Sequence, residues 1–340
     1  MSSEQPTAFD YLTRGRLLLR QGLLDRAIED FDAAVALDDT LAAGYYCRGL
    51  AYRDGGDLER AVQEFTTAVD VDPEYSVAFY ARGVVRRRLE QYEQALVDYS
   101  LAIDMNQEDP DYYYARGVAQ IALRHYDQAI EDFLQAIQLN PQMPNAYYNL
   151  GIAYRDLGQL EQALENYSRG IELRPTDPDY YYARGNLFSD SHDYEPAVAD
   201  YGQAIALAPS FANAFYNRGI AVRNLGQPGK AIEDFDQALR LGPTFANLYL
   251  NRGTALNDQG NHQSAVDDFN RALELDSELA MAYFGRGNAK VCLEQLEEAA
   301  EDYGRAVQIN QDFAEARRAL DAVEAQLGRG LEDLPGSSPG

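Results

Sequence analysis

Glycine returns at Gly15, Gly49, Gly83, Gly117, Gly151, Gly185, Gly219, Gly253 and Gly287, each step being 34 residues, with no insertion or deletion across nine copies. A period held that strictly marks a stack of supersecondary units, none of which buries its faces alone. It also decides the domain count. A chain of 340 residues would ordinarily divide into two or more domains, whereas the unbroken period predicts one elongated array.

The unit is clearest in Ala212–Phe245, numbered here from Ala212 as position 1. Position 4 is Tyr or Phe throughout, from Tyr11 and Tyr45 to Phe215 and Tyr283. Position 20 is Ala in every copy, position 24 is Phe or Tyr, and position 27 is Ala except at Gly170. Positions 20, 21, 24, 27, 28 and 30 form the apolar stripe of an amphipathic helix. Gly at 8 and Ala at 20 allow two antiparallel helices to approach closely, and the aromatics fill the space beside them.

These landmarks resemble the tetratricopeptide repeat, a helix–turn–helix unit, over residues 8 to about 313. Two features depart from that family: its usual Leu at position 7 is mostly Arg here, and Pro at position 32 occurs only at Pro73, Pro141, Pro175, Pro209 and Pro243. The resemblance implies an all-α fold, a right-handed superhelical α-solenoid of antiparallel helix pairs. Repeats start at 8, 42, 76, 110, 144, 178, 212, 246 and 280, within a single solenoid over 8–327. Residues 314–327 read as a solvating C-terminal capping helix, with Asp321 where the repeats carry Gly. A disordered lead over 1–7 and a Gly/Pro/Ser-rich disordered tail over 328–340 are expected.

One pattern is internal to the chain. Position 7 is Arg in eight copies (Arg14, Arg48, Arg82, Arg116, Arg184, Arg218, Arg252, Arg286). Position 23 is acidic in eight copies (Asp30, Glu64, Asp98, Asp132, Asp200, Asp234, Asp268, Asp302). Both fail together in the fifth repeat, at Leu150 and Asn166. This predicts an Arg–carboxylate pair between the two helices of each repeat, adding ~0.5–1 kcal/mol if partly exposed.

A formal charge of −26, from 55 acidic and 29 basic residues, argues against nucleic acid and against an anionic membrane surface. No apolar run reaches membrane-spanning length, and MSSEQPTAFD lacks the charged and apolar regions of a secretory signal, so a cytoplasmic location is expected. Cys47 and Cys292 fall in distant repeats and are expected to stay reduced. His125, His192 and His262 sit at or near turns without companions at ligand spacing, so no metal is expected. No phosphate-cradling loop or nucleophile–His pairing is present, and the chain reads as no enzyme with no cofactor.

In the family, the first helices line a concave groove and positions 2, 5, 6, 9, 12 and 13 supply contacts. Carried onto this chain, the candidate peptide-binding residues are Tyr46, Tyr80, Tyr114, Tyr148, Tyr182 and Tyr216 at position 5. Asn149, Asn217 and Asn251 stand at position 6, with Arg53, Arg87, Arg155 and Arg223 at position 12. Tyr offers contact area at low rotamer cost, Asn pairs with peptide backbone, and Arg takes carboxylates. Two structural alternatives stand beside this. The position 5 rings could pack partly between repeats, and Asp54 and Asp156 could neutralise the arginines before them. The carboxylate clamp of co-chaperone members needs a basic position 5, which never occurs here, and Asn at position 9 appears only at Asn186 and Asn288. The expectation is a non-catalytic scaffold or adaptor holding an extended or helical polypeptide segment of another protein. Its alternatives are a regulatory or substrate-recruiting subunit of a larger enzyme or signalling complex, and a self-associating assembly factor. A partner segment of acidic character and a homo-oligomer are both compatible with it.

Overall fold

The computed structural model of the chain describes residues 5–242 and 244–332. Residues 1–4 of the expected lead, Pro243, and 333–340 of the expected tail lie outside the described residues. The described elements are all helices, and the fold is an α-solenoid. Contacts group them into two compact units, 1–175 and 176–340.

The first unit contains five helix pairs: α1 (Ala8–Arg20) with α2 (Leu24–Leu37), α3 (Ala42–Asp54) with α4 (Leu58–Val71), α5 (Ser76–Arg88) with α6 (Tyr92–Met105), α7 (Pro110–Ala122) with α8 (Tyr126–Leu139), and α9 (Pro144–Asp156) with α10 (Leu160–Leu173). The second contains four pairs: α11 (Pro178–Asp190) with α12 (Tyr194–Leu207), α13 (Ala212–Asn224) with α14 (Pro228–Leu241), α15 (Ala246–Asp258) with α16 (His262–Leu275), and α17 (Ala280–Cys292) with α18 (Leu296–Ile309). A last helix, α19 (Ala314–Glu332), packs on α18 and continues past Leu327. Ala316 and Val323 are its buried residues, while Asp321 faces solvent. Within each unit, every helix packs on its partner and on the helix that follows.

Local chemistry starts and stops these helices. Pro110, Pro144 and Pro178 occupy first positions, where the missing N–H has no intrahelical partner to lose. Asp109 and Asp177 accept from the backbone of the next turn, and Thr7 forms a capping box with Asp10. The turn inside each repeat needs a left-handed residue at position 15. Gly22, Gly56, Gly158, Gly226 and Gly260 supply it with φ of 75–87°, while Glu90, Arg124, His192 and Glu294 adopt φ near 60°. The irregular sequence around His192 therefore follows the same backbone path as its neighbours. After the second helix, position 31 does more than the proline that follows it. Asp38, Asp72, Asn106, Asn140, Asp276 and Asn310 each accept the backbone N–H two residues on.

The core repeats as one contact. The position 24 ring is at most 3% exposed in all nine copies. It lies so close to the position 8 glycine that an added Cβ would sit 2.6–3.1 Å from a ring carbon. Position 20 is fully buried Ala in every copy. Neither site has space for another carbon.

The pairing of positions 7 and 23 is present in all eight repeats that carry it. Arg116 binds Asp132 through Nη2 and Nε at 2.7 and 2.8 Å, and Arg252 binds Asp268 through the same two nitrogens at 2.7 Å. Arg14, Arg82, Arg184, Arg218 and Arg286 do likewise, and Arg48 reaches Glu64 at 2.8 Å. The pair is more buried than the sequence suggested, since the seven aspartate side chains are 0–9% exposed. Each arginine also spans two neighbouring repeats where position 25 allows it. Arg48 reaches Asp32, Arg82 reaches Thr66, Arg116 reaches Ser100, Arg252 reaches Asp236 and Arg286 reaches Asn270. The guanidiniums of Arg14, Arg48, Arg82, Arg116, Arg218, Arg252 and Arg286 lie 5.2–5.9 Å from the position 4 ring of the same helix. In the fifth repeat Leu150 is 1% exposed and packs with Ala129 and Phe133, the apolar replacement of the same bracket.

Four variants test this packing, each read as the urea midpoint by circular dichroism. Gly117→Ala places a Cβ 2.7 Å from Phe133 and should cost about 1–3 kcal/mol. Gly304→Ala, in α18 with open space around it, should gain about 0.5–1 kcal/mol. Asp132→Ala strands the Arg116 charge and should cost about 3 kcal/mol. The double change Arg116→Leu with Asp132→Asn, which reproduces the fifth repeat, should cost clearly less than that single change. An equal or larger loss would show that Leu150 and Asn166 do not substitute for the bracket.

Candidate functional site

The first helices carry the predicted face, and all thirteen predicted side chains are half-buried. Their rings are built into the stack. Tyr46, Tyr80, Tyr114, Tyr148, Tyr182 and Tyr216 lie 5.7–6.0 Å from the position 24 ring of their own repeat. A second ring closes the other side of several. Tyr46 meets Tyr75 at 5.4 Å, Tyr182 meets Phe211 at 4.8 Å and Tyr216 meets Phe245 at 5.1 Å. Where that position is Asp109, Tyr112 takes the place and meets Tyr80 at 4.9 Å. Most of these ring contacts lie within one repeat, and that of Tyr80 with Tyr112 crosses to the next, so packing inside the stack holds much of each ring.

The polar edges form a second regularity. Asn149 Nδ2 donates to the Tyr114 hydroxyl at 3.2 Å, Asn217 to Tyr182 at 3.0 Å and Asn251 to Tyr216 at 2.9 Å. Each bond runs from position 6 of one repeat to position 5 of the one before. Asn149 and Asn251 also donate to the backbone carbonyls of Asn145 and Asn247. Their amide nitrogens are committed to the fold, which leaves Oδ1 as the acceptor at the surface. Burial raises the Tyr114, Tyr182 and Tyr216 phenols, and pushes Tyr80 up to about 12, helped by Asp111 and Asp109. At neutral pH these hydroxyls are donors.

The four arginines divide. Arg53 binds Asp54 at 2.8 Å and Arg155 binds Asp156 at 2.7 Å, so the neutralisation foreseen at these two positions is present. Arg87 and Arg223 make no ion pair among the described residues; Arg88 and Asn224 follow them in the chain instead of Asp. Arg86, next to Arg87 in the same helix, is used by the fold: it binds the fully buried Asp98 at 2.8 Å alongside Arg82.

One pairing escaped the sequence reading although its signal was present. Asn at position 9 occurs only at Asn186 and Asn288. Both accept at 2.8 Å from the position 24 hydroxyl of their own repeat, Tyr201 and Tyr303. Tyr99 and Tyr167 have no such Asn, and their buried hydroxyls lack a hydrogen-bond partner. Position 9 Asn is therefore a core acceptor for a buried phenol here. Among the described residues no group of three or more His, Cys, Asp or Glu side chains could hold a metal ion, and no helix is long and apolar enough to cross a membrane. Cys47 and Cys292 are both free.

Models of the tetratricopeptide repeat match residues 11–40 and 42–75, 182–246, 216–280 and 250–315, and a TPR repeat model matches 85–123, 125–155 and 151–191. The chain belongs to the tetratricopeptide repeat family. None of the matching models describes an enzyme. No curated protein matches the sequence. Among solved structures, the repeat array is similar to a tetratricopeptide repeat protein from Parabacteroides merdae (18% identity, 73% of this chain and 98% of that one, TM-score 0.54). It is also similar to Pseudomonas aeruginosa pilF (21% identity, 63% and 96%, TM-score 0.54) and to the APC/C hetero-tetramer Cut9–Hcn1 (14% identity, 95% and 78%, TM-score 0.54). These likenesses concern the tetratricopeptide fold alone.

The split among position 24 tyrosines gives a direct test. Tyr201→Phe removes a made hydrogen bond and should cost about 1 kcal/mol, while Tyr99→Phe removes an unpartnered buried hydroxyl and should gain about 1 kcal/mol. Equal effects in chemical denaturation would show that the two hydroxyls have the same surroundings.

Proposed function

We propose that this tetratricopeptide repeat protein is a non-catalytic, cytoplasmic scaffold whose first-helix face holds an extended or helical segment of another protein. One observation carries the reading. Along the array, the first helices present phenol edges, Asn Oδ1 acceptors and two position 12 arginines, Arg87 and Arg223, that pair with no carboxylate among the described residues. An extended polypeptide exposes backbone N–H groups at regular intervals, and the Asn oxygens are acceptors for them. The Tyr rings, fixed by neighbours on their inner sides, offer rigid contact area with little rotamer entropy left to lose. That combination suits a chain laid across several repeats better than a small molecule in a closed cavity.

Crosslinking mass spectrometry from native cells should identify the segment. Its capture by a variant carrying Asn217→Ala and Asn251→Ala, both in the second unit, should fall by about tenfold, each lost bond contributing ~0.5–1.5 kcal/mol. Unchanged capture, with loss on charge reversal at exposed Glu93 and Glu131 of the second helices, would move the site to the other face and sink the proposal.

A further inference from the structure

Two of the four first-helix arginines show what occupies this position when a carboxylate is at hand. Arg155 donates through Nη2 and Nε to Asp156 at 2.7 and 2.9 Å, and Arg53 holds Asp54 at 2.8 Å. In both cases the acid is the next residue along the helix. Behind Arg155 stands Tyr167, fully buried, its hydroxyl without a hydrogen-bond partner. Burial raises that phenol, and the Arg155 charge works against the rise.

The third repeat contains the same arrangement with one change. Tyr99 is fully buried with an unpartnered hydroxyl, and burial and the Arg87 charge act on it in the same opposed senses. Arg87 Nε is buried and also lacks a hydrogen-bond partner, while the side chain as a whole is only half-buried. Arg88, however, stands where the fifth repeat has Asp156. It is exposed and adds a second positive charge instead of a counter-ion. The other neighbour, Arg86, is held by Asp98. Asp109 and Asp111 bear on Tyr80, yet neither pairs with Arg87. The chain supplies this guanidinium with no carboxylate among the described residues.

We propose that Arg87, with Arg88 beside it and Tyr99 behind it, binds an Asp or Glu side chain from an extended acidic segment of a partner protein. The inference rests on the polypeptide reading of the first-helix face and names the chemistry of one contact within it. A guanidinium whose Nε is already buried loses little freedom when it takes a carboxylate, and such charge-assisted bonds are about twice as strong as neutral ones. The net charge of −26 does not oppose a local contact of this kind. Remote acids are screened over ~8 Å at physiological salt, so the adjacent arginines set the sign.

The test is a selection of random linear peptides, amidated at the C-terminus, on the full chain. Retained peptides are then titrated against Arg87→Gln and Arg88→Asp. Arg88→Asp recreates the arrangement of the fifth repeat and hands Arg87 a carboxylate from its own helix, at an exposed position that leaves the core alone. The retained peptides should share an Asp or Glu. They should lose about tenfold or more in affinity with either variant, and likewise when that acid is replaced by its amide. Peptides with no shared acid, or affinities untouched by Arg88→Asp, would overturn this contact while leaving the scaffold reading in place. Peptides retained only from a parallel library with free C-termini, whatever their side chains, would reassign the site to a terminal carboxylate and overturn it too. If no peptide is retained at all, the inference and the proposed function both fall.

Discussion

At nine places an aromatic ring from a second helix lies on a glycine of the first, with a ring carbon 2.6–3.1 Å from where a Cβ would sit. That contact sets the distance between the two helices, and the fully buried alanine at position 20 keeps the same approach on the partner helix. Interiors at crystal-like density transmit small changes of volume. A methyl group inserted at one glycine would therefore be felt by the ring, then by the position 5 tyrosine resting on it, and so by the first-helix face.

The buried bracket solves a different problem. A stack made only of apolar stripes would tolerate sliding between units, since dispersion contacts are not directional. An arginine bonded bidentately to its own repeat, stacked on its own ring and reaching back to the previous second helix has one geometry that satisfies all three. Replacing such a bracket with apolar groups need not cost stability, and the fifth repeat has made that replacement on both sides at once, with Leu150 and Asn166. Half of the bracket alone would leave a buried charge. This explains why both departures fall in the same repeat.

The first-helix face is shaped by what the fold has already used. Asn149, Asn217 and Asn251 were candidates to pair with a peptide backbone, but their nitrogens brace the tyrosine hydroxyls of the preceding repeat. Arg53 and Arg155 share position 12 with Arg87 and Arg223, and the residue that follows each decides which is neutralised. What the face offers is a selected remainder: amide oxygens, ring edges and the position 12 guanidiniums of Arg87 and Arg223.

Much of this was legible in the residues themselves. The glycine period, the alanines and the aromatics report helix–helix approach, and that approach recurs identically in each copy, so one chain contains nine observations of a single local rule. The coupled loss at Leu150 and Asn166 exposed the bracket for the same reason, and the acids after Arg53 and Arg155 were visible in the next letter. The tertiary structure alone decided contacts whose partners lie one repeat away or whose strength depends on exposure. These are the Asn-to-Tyr bonds between repeats, the second anchor of each arginine, the depth of its aspartate, and the unpartnered hydroxyl of Tyr99. Periodicity says which residues are equivalent; it does not say which edge of a side chain is already bonded, because that is fixed by where the next helix comes to rest.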